Sequence, residues 1–145
     1  IGKLMSPERL SPTTTRQLLI DRLPPILVLQ LKRFVFDATT YTTTKSLAHI
    51  TIPAELNLTD VVDNYGDFVF FKDTEPPVYR LSAVIYHLGR TTHGGHYTCH
   101  VYHDDTWWYC DDGAVQTAPR EVVGQTDRNR TPYLLFYARL KGPVP

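Results

Sequence analysis

Cysteine, excess charge and long apolar runs are all scarce in this sequence, and each scarcity closes off a class of protein. The only two thiols, Cys99 and Cys110, are too few for a disulfide scaffold and fit a reducing compartment, so the expected location is the cytoplasm or the nucleus. The 15 basic residues balance the 15 acidic ones. No field of one sign is left to hold a phosphate backbone or an anionic membrane, and neither nucleic acid nor a membrane is an expected partner. The longest apolar run, residues 133–138, falls well short of the roughly 20 residues a membrane-spanning helix requires. No basic, apolar, small-residue leader follows Ile1, which points to a piece of a longer protein. What the chain does have is 42% hydrophobic and 12% aromatic content over 145 residues, enough for one buried core.

Residues 1–22 read as linker and lead-in, because Pro7 and Pro12 each remove a backbone donor and restrict the residue before them. The run from Ile26 to Phe36 starts unbroken and apolar and then admits polar residues, predicting one strand buried on both faces that emerges towards solvent. Residues 37–46, rich in threonine, predict a polar loop or the tip of a hairpin. A short strand is expected over residues 49–52, closed by Pro53, and residues 54–77 carry no clear signal. Strands are predicted over residues 78–88, 96–103, 107–110 and 133–137, with a glycine-containing loop over 89–95. A short helix is expected over residues 118–123, with Thr117 as N-cap and Pro119 in its first turn. Residues 141–145 read as a tail. The sum is an α+β chain dominated by antiparallel sheet.

Pairing residues 96–102 with 107–111 as a hairpin makes Thr98 face Asp111, His100 face Tyr109, and Cys99 face Cys110. Side chains alternate along a strand, so His96 and Asp111 fall on one face as diagonal neighbours, while Asp112 points the other way. A slip of one residue would exchange Asp111 for Asp112. An imidazole oriented by a carboxylate is the base half of nucleophilic catalysis, since the carboxylate sets the tautomer and stabilises the imidazolium. The same pair also serves as a plain structural hydrogen bond in many proteins. The parity that joins His96 to Asp111 puts Cys99 and Cys110 on the opposite face, so neither thiol meets that imidazole. Gly94 and Gly95 allow a close backbone approach before His96, whether to another chain or within a tight turn. Metal binding is a second reading, because His87, His93, His96, His100 and His103 lie close in sequence. Strand parity separates them and no Cys-x-x-Cys accompanies them, so no metal or other cofactor is expected.

At these residues the sequence resembles the ubiquitin-specific peptidases, papain-like cysteine deubiquitinases. Leu23-Pro24-Pro25-Ile26-Leu27-Val28-Leu29-Gln30-Leu31-Lys32-Arg33-Phe34 is similar to the family's Leu-Lys-Arg-Phe strand, and Tyr79 to Gly89 to the strand before its second blocking loop. Gly94-Gly95-His96-Tyr97 is similar to the histidine box, Trp108 to Val115 to the aspartate segment, and Tyr133-Leu134-Leu135-Phe136-Tyr137 to the closing strand. These motifs occur in the family's order over about four fifths of the chain. The resemblance implies that residues 23–140 are the C-terminal, palm-forming part of a papain-like peptidase domain. It implies that His96 is the general base, Asp111 its orienting acid and Asp112 an assistant, and that Phe36, Gly94, Gly95 and Tyr97 contact substrate. Loops 36–45 and 88–95 match the two blocking loops. The implied partners are ubiquitin, ubiquitinated proteins and the N-terminal part of the same domain. The family's cysteine box and the paired Cys-x-x-Cys motifs of its fingers are absent from these residues, so the implied nucleophile lies outside this chain. A catalytically inactive, ubiquitin-binding relative is the rival reading.

Overall fold

The computed structural model describes residues 23–58 and 78–140, and the expected linker and tail lie outside them. The strands are β1 (Ile26–Gln30), β2 (Phe34–Asp37), β3 (Thr42–Lys45), β4 (Glu55–Asn57), β5 (Val78–Leu88), β6 (His96–His103), β7 (Thr106–Asp111), β8 (Ala114–Ala118) and β9 (Arg130–Arg139). One antiparallel sheet runs β1-β9-β5-β6-β7-β8, with β4 added beside β5, and β2 and β3 form a separate hairpin. Helix among the described residues is limited to a single 3-10 turn at Arg120–Val122. None of these elements is a helix long and apolar enough to cross a membrane.

The central strand β5 pairs on one side with β9 and on the other with β6. A register shift at Ser82 restarts the alternation, so Tyr79, Leu81, Val84 and Tyr86 all point into the core, each 2% exposed or less. Leu135 and Tyr137 of β9 and Trp107 of β7 complete that layer, with Val123 beyond the 3-10 turn packed on it. Full burial of side chains of this size contributes about 1.5–3 kcal/mol each. The core face therefore holds the sheet together, and the candidate site lies at one end of it.

Three expectations are corrected. The single strand over residues 26–36 is two strands in two different sheets. Leu31 donates to Tyr133 O, Arg33 turns back onto Leu31 O, and the Arg33 guanidinium reaches Pro132 O at 3.1 Å and Ala48 O at 2.5 Å. Bringing that cation to two carbonyls bends the chain out of the large sheet. Nor is β1 covered on both faces, for Ile26 and Val28 are each 48% exposed while Leu27 and Leu29 pack on the core. The strand expected over residues 49–52 is irregular, and the strand here is β4, after Pro53. The helix expected over 118–123 shrinks to the 3-10 turn, and Thr117 caps nothing because it pairs with Trp108 inside β8. Val115 and Thr117, both β-branched, suit that edge strand.

The β2–β3 hairpin is anchored by Lys45. Its ammonium donates to His87 O, Gly89 O and Asn129 O, each at 2.8 Å, using all three of its protons. One side chain thus ties the hairpin to the end of β5, to the loop after it and to the lead-in of β9. We expect Lys45→Met to lower unfolding free energy by about 1.5–3 kcal/mol in urea titration, with faster amide exchange in residues 89–95. An unchanged midpoint and unchanged exchange would show that the clamp is dispensable.

Candidate active site

The β6–β7 hairpin turns on Asp104 and Asp105, whose φ angles of 47° and 56° are the left-handed pair that a two-residue hairpin loop requires. That turn sets His103 opposite Thr106, and the ladder continues through Tyr102 and Trp107, His100 and Tyr109, to Cys99 and Cys110. The register predicted from the sequence is the one observed. His96, Thr98 and His100 of β6 and Tyr109 and Asp111 of β7 consequently share the core face. Burial falls along this row: His100 is 1% and Thr98 3% exposed, while the His96 and Asp111 side chains are 42% and 38% exposed. The site is the solvent-facing end of the core layer.

There His96 Nε2 lies 2.5 Å from Asp111 Oδ1. An ionised carboxylate only accepts, so Nε2 carries the proton and Nδ1 keeps its lone pair, free of any hydrogen bond within the described residues. The bond to Asp111, reinforced by the charges of Asp111 and Asp112, raises the His96 pKa against a smaller opposing effect of desolvation. The bond to His96 holds the Asp111 pKa below its ordinary value, with help from the Tyr109 hydroxyl. Tyr109 donates to Asp111 Oδ2 at 3.2 Å, so both carboxylate oxygens are engaged.

Asp112 is exposed in the β7–β8 turn, with a φ of 47°. Ligand atoms of His96, Asp111 and Asp112 nonetheless lie within 4.8 Å of one another. These are three oxygen and nitrogen donors from one imidazole and two carboxylates, two of them already bonded to each other as the His96–Asp111 pair. The other crowded histidines do not join the set. His87 and His100 are buried, whereas His93 and His103 face solvent beside Thr92 and Asp104.

Of the expected substrate contacts, Gly94 and Gly95 flank the pair in sequence and differ in their packing. A Cβ at Gly94 would meet nothing, whereas one at Gly95 would collide with His87 Nε2 and Leu88 O. The bare backbone of Gly95 is thus required by the chain's own packing at the neck of the 89–95 loop. Tyr97 is 54% exposed on the opposite sheet face from His96, where its ring meets His87 and Tyr133 at 5.1 and 6.4 Å. Phe36 is 60% exposed on the hairpin, its ring 6.3 Å from that of Tyr41. Tyr97 is thus separated from the His96–Asp111 pair by the sheet, and both rings have exposed surface. Cys99 and Cys110 face each other on that opposite side too. Burial, together with the neighbouring Cys110 thiol, pushes the Cys99 thiol pKa up and keeps it protonated.

Sequence reading overlooked three residues around the site. Lys45 gave no signal, being one cation at the end of a threonine run. Tyr86 and His100 lie beneath the pair: Gly124 N–H donates to the Tyr86 oxygen at 2.6 Å, leaving the phenol proton for His100 Nδ1 at 2.8 Å. Burial, then the Arg130 charge, lowers the His100 pKa to about 4, so this imidazole is neutral. The parity count that placed His100 beside Tyr109 was the available clue.

An antiparallel sheet presenting a half-exposed imidazole–carboxylate pair, with one ring nitrogen left open, has the geometry with which a general base can accept a proton from a nucleophile. Comparison identifies the kind: the ubiquitin carboxyl-terminal hydrolase family profile matches residues 3–137, and the chain belongs to that family. It is 37% identical over 128 residues to ubiquitin carboxyl-terminal hydrolase 10-A of Xenopus laevis, a match covering 86% of this chain and 16% of that protein. It is 34% identical over 141 residues to probable ubiquitin carboxyl-terminal hydrolase 3 of Schizosaccharomyces pombe, covering 88% of this chain and 27% of that one. Among solved structures, a chain of a yeast SAGA DUBm aligns with a TM-score of 0.61 at 26% identity, over 81% of this chain and 24% of that chain. A second SAGA DUB module structure aligns with the same TM-score at 28% identity, again over 81% and 24%. The chain thus spans between a sixth and about a quarter of the length of these relatives.

The two shifted pKa values give the pair a defined pH window. Protonated His96 is held more tightly in the folded chain, so its contribution is complete below 6.5 and is lost as pH rises through its raised value. Asp111 contributes above 3.8, and its share is lost as pH falls through its lowered value. NMR titration should therefore find His96 protonating above 6.5, with Asp111→Ala bringing it down, while His100 stays neutral to about 4 in both. A His96 value unmoved by Asp111→Ala would disprove the coupling.

Proposed function

We propose that this chain is the C-terminal, palm-forming part of a cysteine deubiquitinase, with residues 23–140 belonging to the catalytic domain. The whole protein hydrolyses the amide bond after the ubiquitin C-terminal glycine. The observation that carries this reading is the His96 Nε2 bond to Asp111, which leaves Nδ1 free for a thiol, in a chain of the ubiquitin carboxyl-terminal hydrolase family. Cys99 and Cys110 are the chain's only cysteines and lie across the sheet from His96, so the attacking thiol comes from outside these residues. His96 takes its proton and later returns it to the leaving amine, while Asp111 holds the ring in the required tautomer and stabilises the imidazolium. Asp112 adds negative potential beside the pair. Gly94, Gly95 and Phe36, on the 89–95 loop and the β2–β3 hairpin, contact the ubiquitin tail, whereas Tyr97 projects from the sheet face opposite His96. Ubiquitin and ubiquitinated proteins are the partners, and a reducing compartment, cytoplasm or nucleus, suits the exposed chemistry of a thiol.

The test is cleavage of a fluorogenic ubiquitin C-terminal amide by the full-length protein. His96→Ala should lower kcat/KM at least ~100-fold, the usual range for loss of a general base. Equal turnover by variant and wild type would refute the assignment. Ubiquitin binding without turnover in the wild type would instead support an inactive, tail-gripping scaffold.

A further inference from the structure

Asp111 sits at the solvent end of its strand, and a single hydrogen bond to His96 would leave its carboxylate free to turn. Two features make that freedom costly. Asp112 brings a carboxylate oxygen within 4.8 Å of the same His96 and Asp111 ligand atoms, so a second acceptor stands ready to draw the ring away. Water also reaches the Asp111 side chain, 38% of which is exposed. Tyr109, two residues earlier on the same strand face, supplies the restraint, its hydroxyl donating to Oδ2 at 3.2 Å while Oδ1 meets His96.

The Tyr109 ring is itself fixed. It packs against His100, with centroids 5.2 Å apart, and His100 is 1% exposed and bonded to Tyr86. Tyr86 is held by Gly124 N–H, and the Arg130 guanidinium lies 4.5 Å from the Tyr86 ring centroid and 5.9 Å from that of Tyr109. A buried polar layer, with the Arg130 cation packed against it, thus runs beneath the pair and orients the tyrosine that holds the second carboxylate oxygen.

We propose that Tyr109 is a positioning residue for the His96–Asp111 pair, its hydroxyl holding the carboxylate in the orientation that presents Oδ1 to His96, on the platform of His100 and Tyr86. The proposal rests on the deubiquitinase reading for its kinetic consequence and on the hairpin geometry alone for its structural one. In this role Tyr109 acts through Asp111.

Tyr109→Phe keeps the ring on His100 and removes the hydroxyl. In the full-length protein it should lower kcat roughly three- to tenfold with KM unchanged, the scale of one lost hydrogen bond to a charged group. In an Asp111→Ala background the same substitution should have no further effect, because the acceptor is gone. The His96 Nε2 proton, read by NMR, should exchange with water faster in Tyr109→Phe than in the wild type. Full activity in Tyr109→Phe, an equal loss in both backgrounds, or an equally protected proton would each overturn the proposal. Failure of the deubiquitinase reading looks different: His96→Ala has no effect on turnover, while the proton exchange measurement still decides the role of Tyr109.

Discussion

Asp104 and Asp105 hold two consecutive left-handed conformations, and this small strained turn decides which residues of β6 meet which of β7. One residue more or fewer would invert the face of every side chain on β7 relative to β6. Asp111 would leave His96, Cys110 or Asp112 would take its place beside the imidazole according to the direction of the slip, and Trp107 would be turned out of the core. Short acidic residues tolerate the left-handed region better than most, because their side chains bond locally to the backbone. Tyr102 helps hold the turn by donating to Asp105 at 2.9 Å.

From that register follows the gradient that makes the site. The core face of the sheet is apolar at its centre, with Tyr79, Leu81 and Val84. It becomes polar but buried at Tyr86, Thr98 and His100, and ends in the half-exposed His96 and Asp111. A base at such an end is open to an incoming group on one side and backed by rigid packing on the other. The surrounding loops are tied to the same frame. Lys45 binds the β2–β3 hairpin to the carbonyls of His87 and Gly89, and Gly95 passes against His87 where no Cβ fits. His87, kept neutral by burial and by the nearby Lys45 charge, fills the space between Phe34, Tyr97 and Tyr133 on the opposite face.

Much of this was legible beforehand where the local pattern and the tertiary environment agree. The strands β5, β6, β7 and β9 carry enough β-branched and aromatic residues to declare themselves, and β6 and β7 are close enough in sequence for counting to predict their pairing. The same count removed Cys99 and Cys110 from the site. Where sequence reading failed, a distant partner had changed the outcome. Residues 26–36 look like one strand until Arg33 is drawn to carbonyls of Pro132 and Ala48. Residues 114–118 show no burial pattern, four of the five being exposed, and form a strand by pairing along the open edge of β7.

By itself the sequence determined the parity of the hairpin, the company of His96 and Asp111, and the family motifs, since all three depend on short separations along the chain. The tertiary structure alone decided that Nε2 rather than Nδ1 faces Asp111, that Tyr109 takes the second carboxylate oxygen, and that Tyr86 and Gly124 lock His100 beneath them. Each of these depends on side-chain rotation or on contacts between residues far apart in the chain, and neither is encoded in a residue's immediate neighbours. The hairpin could be counted from its turn, but the orientation of a ring is set by everything packed around it.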